Sequence, residues 1–464
     1  MTTDDRYDAI ILGAGQAGLP LSTALAGAGW KVALVERQHL GGSCINEGCT
    51  PTKTMVASAG VAYLVKRAAD YGLRTGDVRV DMATVRQRKR DIVHSFRRSS
   101  QRRVDNAEGL ELLRGEGRFV AAHTVEVALN AGGTRRITAD HVFINVGARP
   151  SIPPVPGLAG VPYLDSTTIM ELGEVPEHLL IAGGGYVGVE FGQMFRRFGS
   201  EVTIVQRGDQ LLSHEDADVA VAVADILAED GIEILLGASV TRAALAEGGH
   251  IELTLDLGQG KRTLSGSHLL VATGRTPNTE ALNLEAAGIE ADDRGYIKVN
   301  SRLETNVPGV YALGDVKGGP AFTHISYDDY RVVRANLLDG GDASIEGRLV
   351  PYAVFIDPQL GRVGLTEKEA RARGQAYRLA WMPMNYVARA LELDRPRGLM
   401  KALVDPETNQ ILGIAVLGIE GGEIMAIVEV AMMGRLPYTA LRDGIFTHPT
   451  LSESLNTLFF SFED

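Results

Sequence analysis

Two segments of the chain share one order: a short apolar run, a glycine-rich turn, a helical stretch and a second apolar run. Residues 7–12 (YDAIIL) lead into GAGQAG, a helical stretch from about 17 to 29, and KVALVE at 31–36. Residues 178–207 (HLLIAGGGYVGVEFGQMFRRFGSEVTIVQR) repeat that order. An apolar run without helical period reads as a buried parallel strand, so each segment predicts a strand–turn–helix–strand unit. Two such units imply two nucleotide sites in an α/β chain. The 464 residues are too many for one core, and two to four domains are expected.

In the first unit Gly13, Gly15 and Gly18 form G-x-G-x-x-G. Gly13 allows the tight turn, Gly15 lets the backbone approach a pyrophosphate, and Gly18 lets the helix pack on the strand. Glu36 closes the second strand, where a carboxylate binds a ribose diol. The second unit carries Gly183, Gly185 and Gly188, but its second strand ends at Gln206-Arg207. Exchange of a carboxylate for a neutral side chain beside an arginine suits a 2′-phosphate, so NADPH is expected over NADH, although Arg207 also fits a plain surface residue. Glycine supplies 54 residues, above the roughly 7% of ordinary chains; without a Gly-X-Y period the excess reads as turns against phosphate.

The chain has two cysteines, Cys44 and Cys49, in LGGSCINEGCTPTK. Four intervening residues form a loop that can bring them within disulfide reach. Pro51 suits a first helical turn, which puts Cys49 at the positive end of a helix dipole, where a thiolate is favoured. No further cysteine is present to build a zinc site, so no metal site is expected. Near the end of the chain His448 and Glu453 stand five apart in HPTLSE. They could form an acid–base unit beside a thiol, or simply cap a surface helix.

A net charge of −12 argues against a nucleic-acid partner. The exception is residues 86–103 (RQRKRDIVHSFRRSSQRR), where Val85, Ile92, Val93 and Phe96 recur at roughly helical spacing. This predicts a surface helix with a solvated basic face, or else an anion-attracting surface. The N-terminal MTTDDRYDAI lacks signal-peptide character and no apolar run reaches a membrane span, so a cytoplasmic location without membrane contact is expected. RPSIPPVPG at 149–157 reads as a linker.

Together GGSCINEGCTPTK, HPTLSE, the two glycine units and YALGDV resemble the flavoprotein pyridine nucleotide-disulfide oxidoreductases along nearly the whole chain. That family includes glutathione reductase, dihydrolipoamide dehydrogenase and mercuric reductase. The resemblance implies two Rossmann-like domains, for FAD and NAD(P)H, plus a C-terminal α+β dimerisation domain. The FAD domain would comprise 1–150 and 276–348, the NAD(P)H domain 151–275, and the dimerisation domain 349–464. Gly13, Gly15, Gly18, Glu36, Gly42, Ser43, Gly147 and Asp315 would serve FAD, and Gly183, Gly185, Gly188, Gln206, Arg207 and Gly274 the nicotinamide nucleotide. Cys44 would exchange with substrate and Cys49 would lie against the flavin. Lys53 would stand near the flavin N5 with Glu190 as its ion-pair partner, and Tyr186 would gate the nicotinamide side. His448 and Glu453 would act on the cysteines of the other subunit, making a homodimer with shared active sites.

FTHISYDDYR and VARALELDRPRGLMK look most like the mercuric-reductase branch, yet the chain ends SLNTLFFSFED without the vicinal cysteine pair of that branch. The expected reaction passes electrons from NADPH through FAD and the Cys44–Cys49 disulfide to a small disulfide or related acceptor. The alternatives are reduction of metal ions, quinones or oxygen with the cysteines as relay or sensor, or a dihydrolipoamide dehydrogenase. Glu47 inside the cysteine loop could repel anionic disulfides or point to water.

Overall fold

The computed structural model describes residues 5–462, which fall into two compact units. Among the described residues the first unit joins 5–54, 84–151 and 275–348, and the second joins 55–83, 152–274 and 349–462.

In the first unit the strand Asp5–Leu12 lies between Val32–Glu36 and Thr134–Ile144, all parallel. Leu110–Ala121 extends the sheet beyond Val32–Glu36, and Val310–Ala312 extends it beyond Thr134–Ile144. The two long strands overrun the parallel sheet, and their outer halves pair antiparallel with Thr124–Leu129. Along the first strand Ile10 and Leu12 enter one core, while Ala9 and Ile11 enter the core on the opposite face. Burial on both faces is why the segment reads as a continuous apolar run. The turn that follows opens the helix Gly18–Gly27.

The second unit repeats the pattern with four parallel strands in the order His268–Val271, His178–Ala182, Glu201–Val205 and Glu233–Leu235. The helix Tyr186–Phe198 follows its glycine turn. A three-stranded antiparallel sheet covers one face, with Leu253 and Leu255 packing in one core with Leu180 and Ala182. From residue 352 the chain builds a five-stranded antiparallel sheet backed by the helix Gly421–Met433.

Two local expectations need adjusting. The proline-rich stretch is not wholly irregular, because Ala148–Pro150 forms a short strand paired with Arg275–Pro277. The basic segment is a helix, Met82–Asp105, but Phe96 on it is half exposed while Lys89 is buried. Val93 is buried and Val85 and Ile92 are half-buried, as the apolar spacing implies, so Phe96 is the one named position that departs from the covered face.

Candidate active site

The first glycine turn is closed by sterics. A side chain at Gly18 would strike the Gly13 carbonyl oxygen, and one at Gly13, held at φ +97°, would strike that of Asn145. Glu36 sits buried at the end of its strand and accepts the Ala14 N–H through Oε2 at 2.9 Å and the Gln38 N–H through Oε1 at 2.7 Å. A carboxylate keeps further lone pairs for a ribose diol. Asn145, with its amide turned to meet its neighbours, accepts the Gly18 N–H at 3.0 Å and donates to the Leu313 carbonyl at 3.2 Å. The residue in INVGARP thus stitches the phosphate-binding turn to a neighbouring strand, a role its place in a connecting segment did not suggest.

The cysteine loop is seated on that turn. Gly42, at φ +61°, lies so close to Gly15 that a Cβ would come within 2.7 Å of the Gly15 Cα. Ser43 is exposed, Cys44 half-buried and Cys49 exposed, and both cysteines are thiols. Cys49 begins the helix Cys49–Lys66, so the first-turn amides favour negative charge at its sulfur, worth about 0.3–2 kcal/mol. Its Sγ lies 3.3 Å from Thr323 Oγ1. The Cys44 thiol is pushed well above its ordinary value, first by its hydrogen bond to Cys49 and then by burial, with Thr323 and Lys53 pulling the other way.

Two further parts of the first unit support this loop. Asn46 donates to the carbonyls of Leu40 and Gly42, and its own oxygen accepts Arg97 Nε at 2.5 Å. The basic helix thereby braces the cysteine loop through Arg97 and reaches the Thr54 carbonyl through Arg88. Asp315 stands in the short helical turn Gly314–Lys317, its carboxyl raised by burial and opposed by Arg275, 3.7 Å away. Gly147 takes φ +69° after the strand Thr134–Ile144.

In the second unit a side chain at Gly188 would strike the Gly183 carbonyl oxygen, as in the first turn, whereas Gly185 faces open space. Gln206 takes the place of Glu36, its Oε1 accepting the Gly184 N–H at 2.9 Å. Arg207 beside it is exposed, and Gly274 follows the last parallel strand at φ +130°. Tyr186 is the first residue of its helix and Glu190 lies one turn on, buried, accepting the Phe355 N–H at 2.8 Å. His448 Nδ1 and Glu453 Oε2 are 2.8 Å apart, with the imidazole largely exposed. A ring nitrogen bonded to a carboxylate leaves the other nitrogen to exchange a proton. Lys53 belongs to the first unit and Glu190 to the second.

Thr323, Arg97 and Asn145 were missed as site residues. Thr323 lies in FTHISYDDYR, a run that carried a branch resemblance but no chemical signal of its own.

A nucleotide cradle, a second such cradle and a thiol pair between the first cradle and a helix N-terminus define a class of dinucleotide-dependent thiol oxidoreductase. Residues 7–329 match the pyridine nucleotide-disulphide oxidoreductase family, and residues 350–459 match its dimerisation domain. The chain belongs to this family of flavoproteins, which use FAD and a nicotinamide nucleotide, and it is an NAD(P)H-dependent oxidoreductase that forms a homodimer. It is 40% identical to the HOCl-induced flavoprotein disulfide reductase RclA of Escherichia coli, with a TM-score of 0.89 over 98% of this chain and 99% of the other. The Cu(II) complex of that protein superposes with a TM-score of 0.90 at the same identity and coverage. Mercuric reductase of Bacillus cereus is 34% identical over 98% of this chain and 72% of its own length. No helix among the described residues is long and apolar enough to cross a membrane.

Proposed function

We propose that the chain is an NADPH-dependent reductase that passes two electrons through FAD to a Cys44–Cys49 disulfide and on to a small disulfide. The observation that carries this reading is the seating of the thiol loop on the first glycine turn, Gly42 against Gly15, with Cys49 opening a helix. FAD when bound supplies the two-electron link between the nicotinamide and the cysteines. Residues 1–150 with 276–348 would hold it, 151–275 would hold NADPH, and 349–464 would form the dimer.

In this reading the Cys44 thiolate attacks an external disulfide, forming a mixed disulfide and releasing one thiolate, which takes a proton from His448. Cys49 then attacks the Cys44 sulfur, releasing the second thiol and closing Cys44–Cys49. NADPH reopens it with two electrons. Because the Cys44 proton is held tightly, the exchange needs a base, and the His448–Glu453 pair of the other subunit is assigned that task. With FAD bound, Lys53 would supply positive charge toward the flavin with Glu190 as its ion-pair partner, Tyr186 would serve the nicotinamide side, and Asp315 and Ser43 would help hold the FAD.

A second reading is favoured by one finding: the 40%-identical relative was solved as a Cu(II) complex, as was its variant with a cysteine replaced by serine. Soft thiolates favour Cu(I), the product of such a reduction. Two Cu(II) ions could each take one electron from the dithiol, yielding two Cu(I), a disulfide and two protons.

Steady-state turnover of NADPH with low-molecular-weight disulfides and with Cu(II) decides between them. The disulfide reading predicts turnover of a disulfide that Cys44→Ser abolishes. It fails if only Cu(II) is reduced, or if Cys44→Ser keeps full disulfide activity. His448→Gln should slow disulfide turnover at neutral pH by about 10²–10⁴-fold. The loss should shrink as pH rises, because hydroxide then removes the Cys44 proton; a loss independent of pH would remove His448 from that role.

A further inference from the structure

The turn that carries Asp315 is held from behind by one buried carboxylate. Asp329 lies on the helix Thr323–Leu338 and is fully buried. Its Oδ2 accepts the Gly314 N–H at 2.8 Å and faces Lys317 Nζ at 3.2 Å. Gly314 and Lys317 are the first and last residues of the short helical turn, so a single oxygen ties both of its ends, with Asp315 between them. The other oxygen, Oδ1, accepts Arg348 Nη1 at 2.7 Å. A buried carboxylate is tolerated where cations and N–H donors fill its lone pairs, and both are supplied here.

The turn has little room to shift. Gly314 sits at φ +71°, and a Cβ there would come within 2.7 Å of Ser326 Oγ, three residues before Asp329 on the helix. The same helix begins at Thr323, whose Oγ1 lies 3.3 Å from Cys49 Sγ. Residues three apart are neighbours on a helix surface, and Thr323, Ser326 and Asp329 form such a row. At 1.5 Å per residue, the thiol contact and the carboxylate stand about 9 Å apart along the axis. One element therefore carries both the neighbour of the Cys49 thiol and the anchor of the Asp315 turn. Charge is matched as closely as contact. Burial raises the Asp315 carboxyl, Arg275 and Lys317 lower it, and Asp329 raises it again.

We propose that Asp329 is a positioning residue of the flavin site, holding the Asp315 turn at both ends and cancelling the charge of Lys317 beside it. This rests on the reading of Asp315 as a residue that holds FAD. With no exposed surface, Asp329 touches neither cofactor nor substrate. Loss of Asp329 uncovers a buried cation, which favours the negative charge of a reduced flavin, and loss of Lys317 does the reverse.

The midpoint potential of the bound flavin is measured by reductive titration against a reference dye, FAD affinity by binding to the apoprotein, and folding by circular dichroism. Asp329→Asn should shift the flavin about tenfold toward the reduced form, about 30 mV upward for a two-electron couple. Lys317→Met should shift it about tenfold the other way. The double variant restores the charge count and should return to within about threefold of the wild type. A turn that is merely loosened would weaken FAD binding in both single variants, with no reason to move the potential in opposite directions. Shifts of the same sign in the two single variants overturn the proposal, as does the absence of a shift in either one, or a double variant that keeps the full shift of one parent. Should Asp329→Asn fail to fold, Lys317→Met and Arg348→Met decide. Each removes a cation and leaves Asp329 on Gly314, so both should lower the potential, and an unchanged or raised potential in either overturns the proposal. If Asp315→Ala binds FAD as tightly as the wild type, the reading of Asp315 fails and the proposal with it, an outcome distinct from an Asp315 that holds FAD without help from Asp329.

Discussion

At the first glycine turn Glu36 accepts the Ala14 N–H, and at the second Gln206 accepts the Gly184 N–H, both at 2.9 Å. The geometry is shared and the charge is not. In each turn a helix glycine presses on a strand-end carbonyl, Gly18 on Gly13 and Gly188 on Gly183. The backbone shape is therefore held by sterics in both turns, and in the reading proposed above the residue at the second strand's end chooses the ligand. A carboxylate there attracts a ribose diol and repels a 2′-phosphate; an amide beside an exposed arginine removes the repulsion and adds attraction. The turns also differ in their surroundings. The first carries the cysteine loop on its outer side, while the second opens onto free space at Gly185.

Breaking each turn should separate the two functions. Gly18→Ala, which forces a Cβ onto the Gly13 carbonyl, should abolish FAD retention and lower the yield of folded protein, read as flavin absorbance per chain. Gly188→Ala should instead leave FAD bound while cutting flavin reduction by NADPH at least a hundredfold; equal loss of FAD from both variants would mean the turns are not independent. Gln206→Glu, which restores the charge of the first turn to the second, should shift the NADPH-to-NADH ratio of kcat/KM toward NADH by about tenfold or more, each tenfold being about 1.4 kcal/mol. An unaltered ratio would remove Gln206 from cofactor choice. The smallest effect is expected from Glu36→Gln, which loses the charge and one of the two backbone hydrogen bonds that the carboxylate accepts. FAD affinity should fall about fivefold to tenfold by equilibrium dialysis, in line with a charged hydrogen bond made neutral.

The glycine turns, the strand Asp5–Leu12 and the helix start at Cys49 were legible because each is dictated locally, by Cβ sterics, by burial on both faces, or by proline at a first turn. Family resemblance supplied the roles of Lys53, Glu190 and Asp315, which no spacing would reveal. What stayed hidden depends on contacts between distant parts of the chain. Thr323 meets Cys49 across 274 positions, and Tyr352 meets Glu215 across 137. Arg97 read as one charge among many on a basic helix, and only folding shows it gripping Asn46 of the cysteine loop. Phe96 misled for the complementary reason: helical spacing predicts a face, but the partner that covers the face is tertiary.

The central claim is that Cys44 and Cys49 take electrons from the flavin. Anaerobic titration of the FAD-loaded protein with NADPH, followed by its visible absorption spectrum, tests it most directly. The two-electron-reduced enzyme should show the long-wavelength thiolate-to-flavin absorption, persisting in Cys44→Ser without reductant and lost in Cys49→Ser. Direct bleaching of the flavin by the first equivalent, with no such band in the wild-type protein, would contradict the redox-pair assignment.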